Sequence, residues 1–227
     1  MTIDFFALEQ ELIAKGLDSD LDDFQTIKRR MVSREEFDCD EFARQAIYCV
    51  LVSGFSQKTA KRIHGEIMQS LHTFVIPAKA GIHCAAGTTR CAAMDPGLRR
   101  GDGCVESEHL YERLIKLFKN TNKIKAIVKL WLDRQKYRDD YYKLPDVEAR
   151  IKYIQTMPHL GKITANHLAR NLCENVFKRD VWIERLLAAY GEDLFDRLES
   201  ETGLPRGYID VVLWKACQNF GVPPKFS

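Results

Sequence analysis

The chain has 227 residues, of which 45% are hydrophobic and 29% charged, and its formal net charge is +2. This length allows one large domain or two small ones, and the apolar content suffices for a packed core and argues against a mostly disordered chain. No apolar run approaches the roughly 18–20 residues of a membrane-spanning helix, which excludes an integral membrane protein. The N-terminal segment lacks a secretion signal and the 7 cysteines lack a tight spacing pattern, so we expect a cytoplasmic protein with reduced thiols.

The small net charge hides an asymmetry along the chain. Residues 1–60 hold 7 Lys/Arg and 12 Asp/Glu, whereas residues 111–180 hold 16 Lys/Arg and 8 Asp/Glu. A basic middle section is expected of a face that binds a polyanion, but helices with solvated charged faces give the same count. Charge alone leaves both interpretations open.

Helical periodicity dominates the sequence after residue 40. Glu41–Leu51 is typical, because Phe42, Ala46 and Val50 recur at four-residue spacing on one face. Ser56 is predicted to cap the next helix. The predicted helices are Glu41–Leu51, Ser56–Leu71, His109–Lys119, Asn122–Arg134, Asp146–Gln155, Lys162–Leu172, Val181–Ala189, Asp193–Glu201 and Gly207–Phe220. No alternating strand pattern exceeds a few residues, so the predicted fold class is all-α.

The segment 73–104 breaks this pattern. It contains five glycines, two prolines and the three cysteines Cys84, Cys91 and Cys104, whose spacing matches no common zinc site. The phrases VIPAKAGIH and MDPGLRRGDG resemble the translation of a dispersed bacterial DNA repeat. We therefore predict a loop insertion or disordered segment, without a metal, whose deletion costs little stability.

A tight hairpin between two helices is predicted at residues 157–161. Pro158 fixes φ in the turn, and Gly161 is expected to supply a positive φ that lets the chain reverse. Backbone N–H groups at such a turn form a small anion site, to which Lys162 and Thr164 add a charge and a hydroxyl. An ordinary αα-hairpin without a ligand is the structural alternative.

Asp180 stands at the start of the next predicted helix. An aspartate at that position is most often a helix N-cap, whose charge the helix terminus favours. The sequence therefore predicts a rigidly held carboxylate close to the hairpin.

These motifs resemble the helix-hairpin-helix base-excision DNA glycosylases, the superfamily of endonuclease III and the adenine-mismatch glycosylases. The specific part is MPHLGKITANHLARNL followed by KRDVWIERL, and the segment CVLVSGFSQKTAKRI resembles the part that wedges the duplex in that family. The resemblance covers about residues 40–72 and 105–190. It implies one unit over 1–227, made of a helical subdomain at 42–152 and a second subdomain of 1–41 plus 153–227 that carries the hairpin.

The resemblance implies that Asp180 is the catalytic carboxylate, which stabilises the cationic sugar and positions the attacking water. In bifunctional members a lysine occupies the position of Ile163 here, so the resemblance implies a monofunctional glycosylase and makes lyase activity doubtful. Lys162 is one residue earlier, about 100° around the helix, and is not expected to replace that lysine. His159 replaces a hairpin glycine, so a positive φ there would strain the backbone by about 1 kcal/mol.

Further expectations follow from the same resemblance. Only Cys217 lies beyond Cys173, so no iron–sulfur cluster and no other cofactor is expected, although the hairpin leaves room for a monovalent cation. Double-stranded DNA is the expected partner, with no membrane and no obligate protein partner, in the nucleoid region of the cytoplasm. The predicted DNA-binding residues are Pro158, His159, Gly161, Lys162, Thr164, Phe55, Gln57, Lys58, Arg170 and Lys178, with Phe55 and Gln57 as candidate wedges.

The predicted function is thus removal of a damaged or mismatched base from duplex DNA in base-excision repair. Two alternatives stay open on sequence grounds: a catalytically inactive DNA-binding protein on the same fold, and a helical interaction module whose hairpin only builds structure.

Overall fold

The computed structural model describes residues 3–73 and 102–222. Within these ranges the regular structure is helical, apart from one isolated β-bridge between Ser19 and Asp23. The helices are α1 Phe5–Ala14, α2 Phe24–Ser33, α3 Cys39–Val52, α4 Gln57–His72, α5 Asp102–Leu114, α6 Thr121–Leu132, α7 Arg134–Tyr142, α8 Val147–Ile154, α9 Lys162–Asn171, α10 Val181–Tyr190, α11 Leu194–Thr202 and α12 Arg206–Phe220. The predicted all-α class is confirmed.

Each predicted helix has a counterpart, and the starts are closest where a capping side chain marks them. Ser56 caps α4 by accepting the N–H of Thr59, and Asp146 caps α8 by accepting that of Ala149. The helix predicted at 109–119 instead runs from Asp102 to Leu114, after which the chain turns toward α6. Residues 74–101 of the predicted insertion lie outside the described residues.

Three helices of the described ranges were not predicted: α1, α2 and α7. Helix α7 has the sequence RQKYRDDYY and buries only Tyr137 and Tyr141, so apolar periodicity is absent from it. Helices α1 and α2 precede residue 40, in the acidic section of the chain. Both begin at aspartate caps, Asp4 and Asp23.

The buried side chains form two cores. The first core contains side chains between Phe37 and Leu172, from all the helices α3 through α9. The second core contains side chains of α1, α2, α10, α11 and α12. Cys173 packs against both cores, so the two cores meet just after α9. The connection from α9 to α10 therefore crosses from one core to the other.

Across the described ranges, no helix is long and apolar enough to traverse a bilayer.

Candidate active site and nucleic-acid interface

The predicted hairpin joins α8 to α9, but its positive φ lies at a different residue. His159 adopts φ 63°, as the missing hairpin glycine implied, whereas Gly161 has φ −84° and ψ −174°. The expectation that Gly161 supplies the positive φ is therefore wrong. The reversal occurs at the exposed His159, where the left-handed backbone of a non-glycine residue costs about 1 kcal/mol.

The start of α9 has no side chain to cap it. Gly161 is the N-cap residue and is exposed, and a Cβ built on it meets nothing within 4 Å. Lys162 is exposed beside it, while the hydroxyl of Thr164 donates to the Gly161 carbonyl at 3.0 Å. Within the described ranges no side chain accepts the N–H groups of this exposed first turn, which leaves them available to an anion.

Asp180 caps α10, as predicted. Its Oδ1 accepts the backbone N–H groups of Trp182 at 3.0 Å and Ile183 at 3.2 Å. Its Oδ2 lies 2.7 Å from Nζ of Lys178. Both carboxylate oxygens are thus held in fixed positions, with the side chain still 17% exposed.

A cavity of about 320 Å³ opens at this carboxylate. That volume is at the lower end of the roughly 300–1,000 Å³ typical of small-molecule sites, so it suits a single base. Its described lining comes from α3, the loop before α4, α9, the start of α10 with the connection before it, and α12, together with Asp20 between α1 and α2. The lining residues are Asp20, Tyr48, Val52, Ser53, Phe55, Ser56, Gln57, Ile163, Thr164, His167, Arg170, Lys178, Asp180, Val181, Trp182, Trp214 and Gln218.

Ile163 and Lys162 differ in whether they line the cavity. Ile163 is 55% exposed and lines both the cavity that contains Asp180 and a neighbouring groove. Lys162 lines that groove with Asn166 and Arg179, and it is not among the described residues around the cavity. This placement agrees with the rotation of about 100° expected between adjacent helical residues.

A buried network of charges lies beneath the cavity. Arg170 is 1% exposed; its guanidinium lies 2.8 Å from Asp210 and 3.2 Å from Asp20. Tyr48 donates to the same Asp20 carboxylate at 2.6 Å. Because the Arg170 side chain is enclosed in these pairs, its predicted contact with a DNA phosphate is not compatible with the structure.

Lys178 and Gln57 also differ from their predicted roles. Lys178 is 9% exposed and its ammonium pairs with Asp180 inside the cavity, so it is not the surface phosphate contact that we expected. Gln57 donates to Asp20 at 2.9 Å and accepts from Lys215 at 2.9 Å. These bonds make it an internal bridge, so the wedge role predicted for Gln57 is not supported by its placement.

Phe55 lines the cavity, and Lys58 follows the lining residue Gln57 on the protein surface. Phe55 is half-buried, with its ring edge-on to Phe118 and the Nζ of Lys123 4.8 Å from its centroid. Lys123 also donates to the carbonyls of Val50 and Leu51 at the end of α3, which steadies the loop that carries Phe55. Lys58 is exposed on the first turn of α4.

His167 is a buried cavity residue with an unused polar atom. Its Nε2 is buried and has no hydrogen-bond partner among the described residues. Burial, together with the positive charges of Arg170 and Lys178, lowers the pKa of His167 well below its ordinary value. The imidazole is therefore neutral near pH 7, and it can donate or accept one hydrogen bond according to its tautomer.

Several cavity residues could not be found from the sequence. Asp20 precedes Arg170 by 150 positions, and Trp214 and Gln218 lie on the closing helix, to which no site was assigned. The basic section at 111–180 is also less available than its count suggests, because many of its cations are paired. Such pairs include Lys129–Asp133, Lys136–Asp140, Arg150–Glu174 and Lys152–Glu148.

The similarity of this chain to known proteins lies in its fold rather than in its sequence. No family model and no curated protein matches the sequence. The fold is similar to that of the 8-oxoguanine DNA glycosylase of Thermotoga maritima, with a TM-score of 0.58 and 16% identity over 97% of this chain and 96% of that one. It is similar to the 8-oxoguanine DNA glycosylase of Methanocaldococcus jannaschii, with a TM-score of 0.58 and 16% identity over 92% and 90% of the two chains.

A third similar structure contains DNA. It is the M. jannaschii 8-oxoguanine glycosylase/lyase in complex with a 15-mer DNA containing 8-oxoguanine, with a TM-score of 0.59 and 16% identity over 96% and 95% of the two chains. At this identity the likeness establishes the fold. The chain has the all-helical fold of the helix-hairpin-helix DNA glycosylases, as its hairpin motif predicted.

Proposed function

We propose that this chain is a DNA N-glycosylase of base-excision repair that extrudes a damaged or mismatched base from duplex DNA and hydrolyses its bond to the sugar. The observation that carries the proposal is the position of Asp180. Its carboxylate is fixed at the start of α10 and lines a base-sized cavity beside an uncapped hairpin, in a fold that is similar to those of 8-oxoguanine DNA glycosylases.

The carboxylate is suited to a reaction that develops positive charge. Cleavage of the bond between base and sugar generates an oxocarbenium-like sugar, which a fixed negative charge stabilises without having to reorganise. Asp180 also has an oxygen facing Lys178 rather than the helix, and that oxygen can orient or deprotonate a water molecule once the pair opens. We assign Asp180 both roles.

The hairpin is suited to holding the DNA backbone. The exposed N–H groups at the start of α9 and the charge of Lys162 form a phosphate site, and the absence of a Cβ at Gly161 allows the phosphate to approach closely. Phe55 lines the same cavity, where it would fill the space left by the extruded base, and Lys58 is exposed next to the lining residue Gln57.

We propose that base release uses water, as in a monofunctional glycosylase. Ile163 occupies the first turn of α9 and lines the cavity, and its side chain offers no amine at the position where bifunctional relatives have a lysine. Lys162 faces the neighbouring groove and does not replace it.

The test is base release from a panel of end-labelled duplexes, each with one lesion, followed by hot alkali to reveal abasic sites. The panel begins with 8-oxoguanine because the similar solved structures are glycosylases for that base. We expect alkali-dependent cleavage of at least one duplex, and a loss of roughly two or more orders of magnitude in Asp180→Asn.

Asp38→Asn is the matched control. Asp38 caps α3 through the N–H of Glu41 and is exposed, so this variant changes a capping aspartate outside the cavity. Equal activity in Asp180→Asn would refute the assignment of this carboxylate. Duplex binding that falls with salt, without base release from any lesion, would support the inactive DNA-binding protein instead.

A further inference from the structure

The amine of Lys178 lies in the cavity, although Lys178 is 15 positions after Ile163 and outside α9. Nζ of Lys178 lies 2.7 Å from Oδ2 of Asp180 and 5.0 Å from the centroid of the Trp214 ring, and all three side chains line the cavity. Lys178 belongs to the connection between α9 and α10 and is 9% exposed. Among the described lining residues it is the single lysine.

This amine is held in place by a second anchor. The backbone N–H of Lys178 donates to Asp210 at 3.1 Å, and Asp210 is itself paired with Arg170. The side chain is thereby directed away from solvent and over Trp214. A surface lysine would contribute little by pairing with a carboxylate, and burying an ammonium costs free energy that a purely structural pair does not readily recover.

The position of Lys178 relative to the reacting carbon follows from the proposed function, on which this inference rests. For Asp180 to assist hydrolysis, the sugar carbon that carried the base must come close to its carboxylate. Because the amine of Lys178 contacts the same carboxylate, that carbon also comes within reach of Nζ. After the base has left, the carbon is the aldehyde carbon of the ring-opened abasic sugar.

We propose that Lys178 gives the protein a second activity, an abasic-site lyase that acts on the product of base hydrolysis. The ammonium first loses a proton to water, and the free amine adds to the aldehyde carbon to form a C–N bond. The adduct takes up a proton again as its hydroxyl leaves as water, which gives a protonated imine. The imine makes the neighbouring C2′–H acidic; that proton passes to water, a C2′–C3′ double bond forms, and the C3′–O bond breaks so that the 3′ phosphate departs with its electron pair. Water then hydrolyses the imine and restores Lys178, and no oxidant or reductant is consumed.

This activity is separate from base release. Hydrolysis uses Asp180 and water, whereas strand cleavage uses the amine, so the two steps have different residue requirements. Ile163 is apolar and Lys162 is not among the described residues around the cavity, so the first turn of α9 brings no amine into it, whereas Lys178 brings one from the connection between α9 and α10.

The experiment uses duplex DNA that already contains one abasic site, so that it does not depend on base release. The full-length protein is incubated with this duplex and sodium borohydride, which reduces the imine to a stable protein–DNA crosslink. We expect the crosslink to form, and mass spectrometry of the digest to locate it on Lys178. We expect strand cleavage without alkali when borohydride is omitted.

Variants distinguish chemistry from structure. Lys178→Arg keeps the charge and its pairing with Asp180 but cannot form the imine, so we expect it to fold, bind the duplex and lose about 100-fold or more of the crosslink. Lys136→Gln is the matched control, because Lys136 is an exposed lysine paired with Asp140 on α7. We expect it to crosslink as the parent protein does.

A crosslink that persists in Lys178→Arg, or that maps to another amine, would overturn the proposal, as would a parent protein that forms no crosslink. The lesion panel with alkali is run in parallel on the same preparations. Base release without any crosslink would reject the lyase alone, whereas failure of base release would reject the proposed function independently.

Discussion

The two helix starts beside the cavity use their free N–H groups in opposite ways. At α9 the N-cap is Gly161, which has no side chain, and the first turn is exposed. At α10 the N-cap is Asp180, whose carboxylate accepts two of those N–H groups and pairs with Lys178. The first start is open to an anion from outside the protein, whereas the second supplies its own anion and holds it at the cavity.

The regions behind these two starts differ in the same way. The loop before α10 is tied by Asp210 to the buried Arg170, which also contacts Asp20. The hairpin before α9 instead reverses at the exposed His159, in a strained conformation. Precise placement of a carboxylate requires rigid surrounding structure, whereas contact with a phosphate requires only exposed backbone N–H groups.

The largest effect is expected on the free energy of unfolding, from replacing Arg170 in the buried network behind α10. Arg170→Met leaves Asp20 and Asp210 buried without their cation, so we expect the free energy of unfolding to fall by about 3–5 kcal/mol. Urea denaturation measures this loss. Arg179→Met is the control, because Arg179 is an exposed arginine that pairs with Glu184, and it should change the midpoint little. Similar small losses in both variants would show that the buried network does not stabilise the α10 side.

The next effect separates the two roles of Asp180. Asp180→Asn keeps a capping side chain, whereas Asp180→Ala removes the cap and should cost about 1 kcal/mol of stability. We expect both to lose roughly two or more orders of magnitude in base release, since neither carries the negative charge. Single-turnover rates and thermal unfolding are compared on the same preparations. Base release that tracks stability rather than charge would contradict the catalytic role.

A smaller effect is expected at the start of α9. Gly161 has an ordinary negative φ and open space at its Cβ, so Gly161→Val should leave the fold intact. We expect the Kd for duplex DNA to rise about 10-fold, which is about 1.4 kcal/mol, because the added side chain keeps the phosphate away. Gly65→Ala is the control, since Gly65 also has nothing within 4 Å of its Cβ and lies within α4. Equal affinities in parent and Gly161→Val would place the DNA backbone elsewhere.

The smallest effect is relief of strain in the hairpin. His159 has φ 63°, so His159→Gly should raise the free energy of unfolding by about 1 kcal/mol in urea denaturation. Arg34 at the end of α2 has φ 50°, and Arg34→Gly should give a similar gain. Only the change at His159 is expected to alter DNA affinity. An unstable His159→Gly variant would mean that the imidazole makes a contribution larger than the strain.

Features that depend on a few neighbouring residues could be predicted from the sequence. The cap at Asp180 and the turn at Pro158 and His159 are examples, because each depends on hydrogen bonds and dihedral angles within a few residues. The short helix α7 was missed because its buried face is two tyrosines in a polar sequence. The positive φ was assigned to Gly161 because glycine tolerates it best, but the turn required it at His159.

The sequence by itself determined the helical class, the hairpin and the carboxylate at the start of α10, because these arise from local periodicity and from side chains that bond to their own backbone. Only the tertiary structure decided that Arg170 is an internal cation, that Gln57 bridges Asp20 and Lys215, and that Lys178 meets Asp180 inside the cavity. The reason is physical. An ion pair across 150 residues, such as Arg170 with Asp20, depends on how two cores pack around the connection between them, and no local pattern encodes that packing.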